Sequence, residues 1–171
     1  MEQDKKSLFI ELLEANKAKI FRICGAYAQD EEGQKDLFQE VVFNLWQSVD
    51  SFRGEANIST WVYRVALNVC MRSRLQIQKK QGRQVPLESI TFHYATGEKD
   101  HLEEKETRAL LYRCIATLKE ADKALLILFL EDMPYKEIAS IAGITENHVA
   151  VKLKRIREKL SDCMKKSGYD R

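Results

Sequence analysis

An all-α fold of two small helical domains joined by a linker, the C-terminal one containing a helix-turn-helix, is predicted by three observations. Apolar residues recur at i, i+3, i+4 and i+7 through nearly every long segment. No series of runs alternates with the period of a strand. A polar, aperiodic stretch near the middle separates two such helical regions.

The chain of 171 residues is long enough for one domain or two small ones. Its 44% hydrophobic content can bury a core in each half, though halves of roughly 75 residues are marginal. A net charge of +2 carries no general polyanion signature, so what matters is where the charges lie.

A first helix places Leu8, Leu12, Ile20, Ile23, Cys24 and Tyr27 along one face, with Phe9 and Leu13 alongside. Gln29 to Gln34, with Gly33, reads as a polar break. A second helix follows, with Leu37, Val41, Leu45 and Trp46 apolar and Asp36, Gln39, Glu40, Asn44 and Gln47 polar. Asp50 to Asn57 is rich in turn residues and contains Gly54. In the third helix, Ile58, Trp61, Val62, Val65, Ala66, Val69 and Cys70 form the stripe, and Asn57 or Ser59 is the expected cap.

From Gln76 the period fades. QIQKKQGRQV is followed by Pro86 and by polar residues through Glu106, so this region is the expected connection. Leu87, Ile90, Phe92 and Tyr94 could tack part of it onto a domain. Leu111, Cys114, Ile115 and Leu118 then start a new stripe. The run ALLILFL (124–130) could be a strand, but strong helix formers and its helical flanks favour a buried helix.

PYKEIASIAGITENHVAVKLKRI contains a short helix opened by Pro134, a glycine turn and a second helix. Ile138, Ala139 and Ala142 are expected to face inward, with Ala139 small where the helices cross. Gly143 supplies the positive φ of the turn, Thr145 can cap the second helix, and Ile144, Val149 and Leu153 fill the angle. This is the helix-turn-helix pattern. Lys152, Lys154, Arg155, Arg157 and Lys159 then lie against Glu158 alone. On an ordinary helix these cations would be a solvated face. Behind a helix-turn-helix they are expected to neutralise phosphates, with Glu146, Asn147, His148 and Ala150 near the base edges.

Three segments in order, DLFQEVVFNLW (36–46), FRGEANISTWVYRVALN (52–68) and LKEADKALLILFLEDMPYKEIASIAGIT (118–145), closely resemble alternative bacterial sigma factors of the sigma-70 family, extracytoplasmic-function group. The resemblance runs from about Leu8 to Leu160, excluding the middle. It implies a region 2 domain over 1–80, a linker over 81–106 and a region 4 domain over 107–171. Such a protein is not an enzyme. It needs no cofactor or metal, and it directs core RNA polymerase to promoters.

Residue roles follow from the same resemblance. Asp36, Gln39, Glu40 and Asn44 correspond to the face that docks on the clamp helices of the beta-prime subunit. Arg53, Asn57, Ser59, Arg64, Asn68 and Arg72 correspond to positions that read and hold the melted −10 strand. That segment is locally basic: Arg53, Arg64, Arg72, Arg74, Lys79 and Lys80 stand against Glu55, with Phe52, Trp61 and Tyr63 interleaved. Trp61 lies on the apolar stripe and is expected in the core. Thr145, Glu146, Asn147, His148, Ala150, Lys152, Lys154 and Arg155 correspond to the −35 duplex reader. The chain departs from the family at His148 and Ala150, where a small hydroxyl residue and a lysine are common, and at Arg72, where an aspartate is common. The beta flap, promoter DNA and an anti-sigma partner complete the expected contacts.

Two rivals are weaker. A repressor with the same helix-turn-helix has no need of the Asp36 to Trp46 segment. An enzyme would need a P-loop, GxSxG, HExxH or a clustered ligand set, and the sequence has none. Cys24, Cys70, Cys114 and Cys163 show no CxxC pair and read as reduced thiols. His93, His101 and His148 lack metal-ligand spacing with them. No apolar run of transmembrane length and no secretory pattern is present, so a reducing, cytoplasmic setting without membrane insertion is expected.

Overall fold

The computed structural model describes residues 2–55, 57–80 and 102–169. Among these the chain is helical with no strand, and it divides into two compact units, Met1–Gln84 and Val85–Arg171. The connecting residues 81–101, with Leu87, Ile90, Phe92, Tyr94, His93 and His101, lie outside the described residues.

The first unit packs three helices pairwise: α1 (Glu2–Tyr27), α2 (Glu31–Ser48) and α3 (Ile58–Lys80). Ile20, Ile23 and Cys24 of α1, Val41 and Leu45 of α2, and Val62, Ala66, Val69 and Cys70 of α3 are buried. Edge-to-face rings bind α1 to α2, Phe9 against Trp46 at 5.1 Å and Phe21 against Phe38 at 5.8 Å. Leu8, expected inward, is exposed, and Phe9 takes the contact instead. The polar break is shorter than expected. Asp30 caps α2 by accepting a 2.7 Å hydrogen bond from Gly33 N–H, and Glu31 and Glu32 suit the positive end of the helix. A 3₁₀ turn (Val49–Ser51) leads towards α3, which is capped by Asn57: its Oδ1 accepts from Ser59 N–H at 3.0 Å.

The second unit comprises α4 (Leu102–Ala116), α5 (Glu120–Leu130), α6 (Tyr135–Ala142) and α7 (Glu146–Lys166). Helix α4 starts inside the stretch read as linker up to Glu106. Glu103 and Glu104 in its first turn favour that start electrostatically. Pro134 caps α6. Gly143, at φ 68°, turns the chain, and Ile144 N–H bonds back to Ala139 O at 3.1 Å. Thr145 Oγ1 accepts from His148 N–H at 3.2 Å and starts α7. Ile138, Ala139, Val149 and Leu153 fill the angle, Ile144 is half-buried, and Ala142 is exposed rather than inward. Ala142 closes α6, where the chain is already leaving the helix crossing.

The reading of all four cysteines as thiols is corrected. Cys114 of α4 and Cys163 of α7 form a disulfide with Cα atoms 5.9 Å apart. They are 49 positions apart in sequence, so only the packing of α4 on α7 brings them together. Cys24 and Cys70 remain thiols, buried with their sulfurs 3.9 Å apart.

Candidate polymerase-docking and DNA-binding surfaces

On α2, the buried residues Gln34, Leu37, Val41 and Leu45 point to the core, and Gln34 Nε2 donates to Phe21 O at 2.8 Å. That fixes the opposite face outward. Asp36, Gln39 and Glu40 are exposed there together. Asn44 is half-buried, and its Nδ2 donates to Glu40 O at 2.8 Å, so part of its donor capacity serves its own helix. Sequence reasoning missed Phe43. It lies three residues after Glu40 and four after Gln39, and it is 58% exposed. An apolar residue in the run VVF reads as core; only the rotation of α2, set by its buried stripe, reveals it. Asp36 and Glu40 also line a cleft of about 360 Å³ with Tyr27, Gln29, Glu32 and Ile77. Gln29 Nε2 is buried there without a hydrogen-bond partner.

In the second candidate region, Arg53, Asn57, Asn68 and Arg72 are exposed, and Ser59 and Arg64 are half-buried. Asn68 and Arg72 are one helical turn apart on α3, so they share a face. Asn57 has a structural duty as the α3 cap. Three expectations are corrected. Tyr63 is only 2% exposed, so its ring is closed to a nucleobase. Arg74 is buried and adds no surface cation. Trp61 is half-exposed rather than core, its ring 5.5 Å from that of Phe52. It stands in the first turn of α3, at the rim of the unit, where the stripe is not yet covered. The two aromatic rings therefore edge the loop that carries Arg53.

On α7, the buried stripe Val149, Leu153, Ile156 and Leu160 faces the unit's core. Glu146, Asn147, His148, Ala150, Lys154 and Arg155 are exposed. Thr145 is exposed too, with its hydroxyl spent on the cap. Lys152 stands apart. It follows the stripe more closely than the others, and its Nζ lies 3.6 Å from Asp122 Oδ1 on α5. Asp122 Oδ2 also receives Lys159 at 3.5 Å. Arg157 sits over the Phe129 ring at 4.7 Å. Val151, missed in the sequence, is 46% exposed between Asn147 and Lys154 on the outermost face. Among the described residues no group of three His, Cys, Asp or Glu side chains could hold a metal ion, and no helix is long and apolar enough to cross a membrane.

Comparison with known proteins bears on both units. The sigma-70 region 2 model matches residues 12–80, and the sigma-70 region 4 model matches residues 108–160. RNA polymerase sigma factor SigV of Bacillus subtilis (strain 168) is 25% identical over 155 residues, covering 90% of this chain and 89% of the relative. The ECF RNA polymerase sigma-E factor of Escherichia coli (strain K12) is 27% identical over 140 residues, covering 74% and 71%. Among solved structures, the sigma factor RpoE of Bartonella quintana, in complex with the anti-sigma factor NepR, superposes with a TM-score of 0.68. It shares 20% identity over 95% of this chain and 98% of that one, which shows the fold.

Proposed function

The chain belongs to the sigma-70 family as an alternative sigma factor of the extracytoplasmic-function group, directing promoter-specific transcription initiation, and from that premise we propose how its surfaces divide the work. The exposed α2 face of Asp36, Gln39, Glu40 and Phe43, with Asn44 beside it, docks on the clamp helices of the beta-prime subunit. Its carboxylates meet basic side chains of the partner, and Phe43 supplies the apolar anchor. The cleft beside Asp36 and Glu40 suits a basic side chain, which Gln29 would flank.

The loop at Arg53 and the Asn68–Arg72 face of α3 hold the opened −10 strand, with Ser59 and Arg64 at their edge. Cations serve the backbone, and the Phe52–Trp61 rim offers a flat face to an unstacked base. Each flipped or unstacked base costs a few kcal/mol, so a replacement site is what makes melting favourable. The second unit lays α7 in the major groove of the −35 duplex, with Asn147, His148, Ala150 and Val151 towards base edges and Lys154 and Arg155 on phosphates. The polymerase supplies all nucleotide chemistry, so the chain itself catalyses nothing. It works in the cytoplasm, and between rounds an anti-sigma partner holds it, as NepR is bound to RpoE in the structure above.

One observation carries this reading: the exposed α2 face with acids beside an aromatic, which a repressor built on the same helix-turn-helix has no use for. The test is binding of the full chain to core RNA polymerase beside an Asp36→Lys/Glu40→Lys double variant. Tight binding lost in the variant is expected. Binding retained by the variant would move the docking face elsewhere, and no binding by the folded wild type would end the polymerase reading.

A further inference from the structure

We propose that the Cys114–Cys163 pair is a reversible redox-modification site, closed by exchange with a low-molecular-weight disulfide, opened by a low-molecular-weight thiol, and controlling how firmly α4 is held. The inference rests on the reading above only for its setting. A factor that works beside RNA polymerase meets a reducing compartment, where disulfides are rare and, when present, are usually transient or redox-sensing. A bond between α4 and α7 in such a protein is therefore better suited to switching than to permanent bracing.

The two sulfurs differ in access. Cys114 is 1% exposed, whereas Cys163, near the end of α7, is half-exposed. An attacking thiolate therefore reaches Cys163 first. In opening, the reductant's thiolate bonds to Cys163 Sγ, and Cys114 leaves with the electron pair and takes a proton. A second molecule of the reductant thiol, giving up its proton, then attacks the reductant sulfur of that mixed disulfide; Cys163 leaves as the thiolate and takes the proton, and the two reductant sulfurs depart as R–S–S–R. In closing, the Cys163 thiolate attacks a small disulfide R–S–S–R and releases one R–S⁻. Cys114, giving up its proton, displaces the second. Two protein thiols are oxidised, one R–S–S–R becomes two R–SH, and the two protons pass to the released thiolates.

The bond also sits where it has most effect. Among the described residues of α4, only Cys114 and Ile115 are buried; Thr107 to Tyr112 are half-buried or exposed. Opening the bond removes the covalent half of that anchor. The helix-turn-helix keeps its own packing through Ile138, Val149, Leu153 and Ile156. The first unit holds a built-in contrast. Cys24 and Cys70 lie with sulfurs 3.9 Å apart, yet both are sealed from solvent and no reagent reaches them in the fold.

The experiment equilibrates the full chain in glutathione buffers of graded reduced-to-oxidised ratio, then unfolds it in an alkylating agent and counts labelled thiols by intact mass. We expect two labels at the oxidising end, four at the reducing end and a reversible passage between them. Amide hydrogen exchange on the same samples should speed up at least tenfold in α4 on reduction, with α6 and α7 unchanged up to Ile156. A Cys163→Ser variant should show three labels in reducing buffer and the faster α4 exchange at every ratio. Four labels throughout, two throughout, or an unaltered α4 on reduction would each overturn the proposal. None of these readouts uses polymerase, so failure here and failure of the polymerase reading are told apart.

Discussion

Asp122 of α5 holds Lys152 and Lys159 of α7 on its two carboxylate oxygens, at 3.6 and 3.5 Å. The two lysines are seven residues apart, two turns of one helix, so a single acid braces the recognition helix against α5. Lys152 is therefore committed before any DNA arrives, while Lys154 and Arg155 are not turned to that acid. Removing Lys154 or Arg155 should lower the slope of log affinity against log salt by about 0.9 each. Lys152→Ala should change that slope by clearly less. Asp122→Ala should raise the slope by freeing a phosphate-seeking cation, while costing the unit about 1 kcal/mol through the lost charge in the first turn of α5. Promoter-binding titrations between low and moderate salt, with thermal melts alongside, decide the matter.

Phe43 should behave as an interface anchor and not as a core residue. It is 58% exposed, so Phe43→Ala should leave the melting temperature of the free protein nearly unchanged. Interface aromatics of this kind contribute about 2 kcal/mol or more, which corresponds to a loss of roughly 30-fold in affinity for core polymerase. Equal losses of stability and binding would assign Phe43 to packing instead.

Val151 is the apolar side chain at the centre of the outward α7 face, and the apolar feature of the major groove is the thymine methyl group. Replacing thymines of the −35 element by uracil, one at a time, should weaken binding at one position by about fourfold, the worth of roughly 0.8 kcal/mol for one buried carbon. Val151→Ala should abolish that difference at the same position. A uniform response to uracil along the element would remove Val151 from base reading.

The Cys70 thiol is held well above the ordinary value of 9.0, first by its hydrogen bond to Cys24 and then by burial. The folded first unit thus prefers the neutral thiol, and the sign follows. Its contribution to stability is complete below pH 9.0 and declines as the pH rises from there through the raised folded value. Alkaline melts of the full chain under reducing conditions should show this decline in the first unit, and Cys70→Ala should flatten it. An alkaline limb that the variant leaves unchanged would point to other groups.

Much of the fold was legible because helices declare themselves by period. The stripe Val149, Leu153, Ile156 set the rotation of α7, and Gly143 and Thr145 marked its start. Local caps were readable for the same reason, since Asn57 and Thr145 act within three residues of themselves. What escaped depends on partners distant in sequence. Lys152 looks like any cation on α7 until Asp122 arrives from another helix. Tyr63 and Arg74 carry polar tips that suggest a surface, yet α3 turns both inward. Cys114 and Cys163 have no local signature at all. The residue roles proposed on each surface rest on family resemblance plus exposure, and exposure alone separated Phe43 and Val151 from their apolar neighbours.

The disulfide has a mechanical meaning as well. It closes a ring over 49 positions that contains α5, the whole helix-turn-helix and most of α7. Pulled from its two ends, the oxidised chain transmits force through the sulfur bridge and bypasses the recognition helix, which bears no tension. The reduced chain routes the same force through every turn of that helix and can pay out about 170 Å more contour length before it is taut. A pull between the two ends of the chain therefore meets two different tethers, a short one or a long one, according to a single covalent bond.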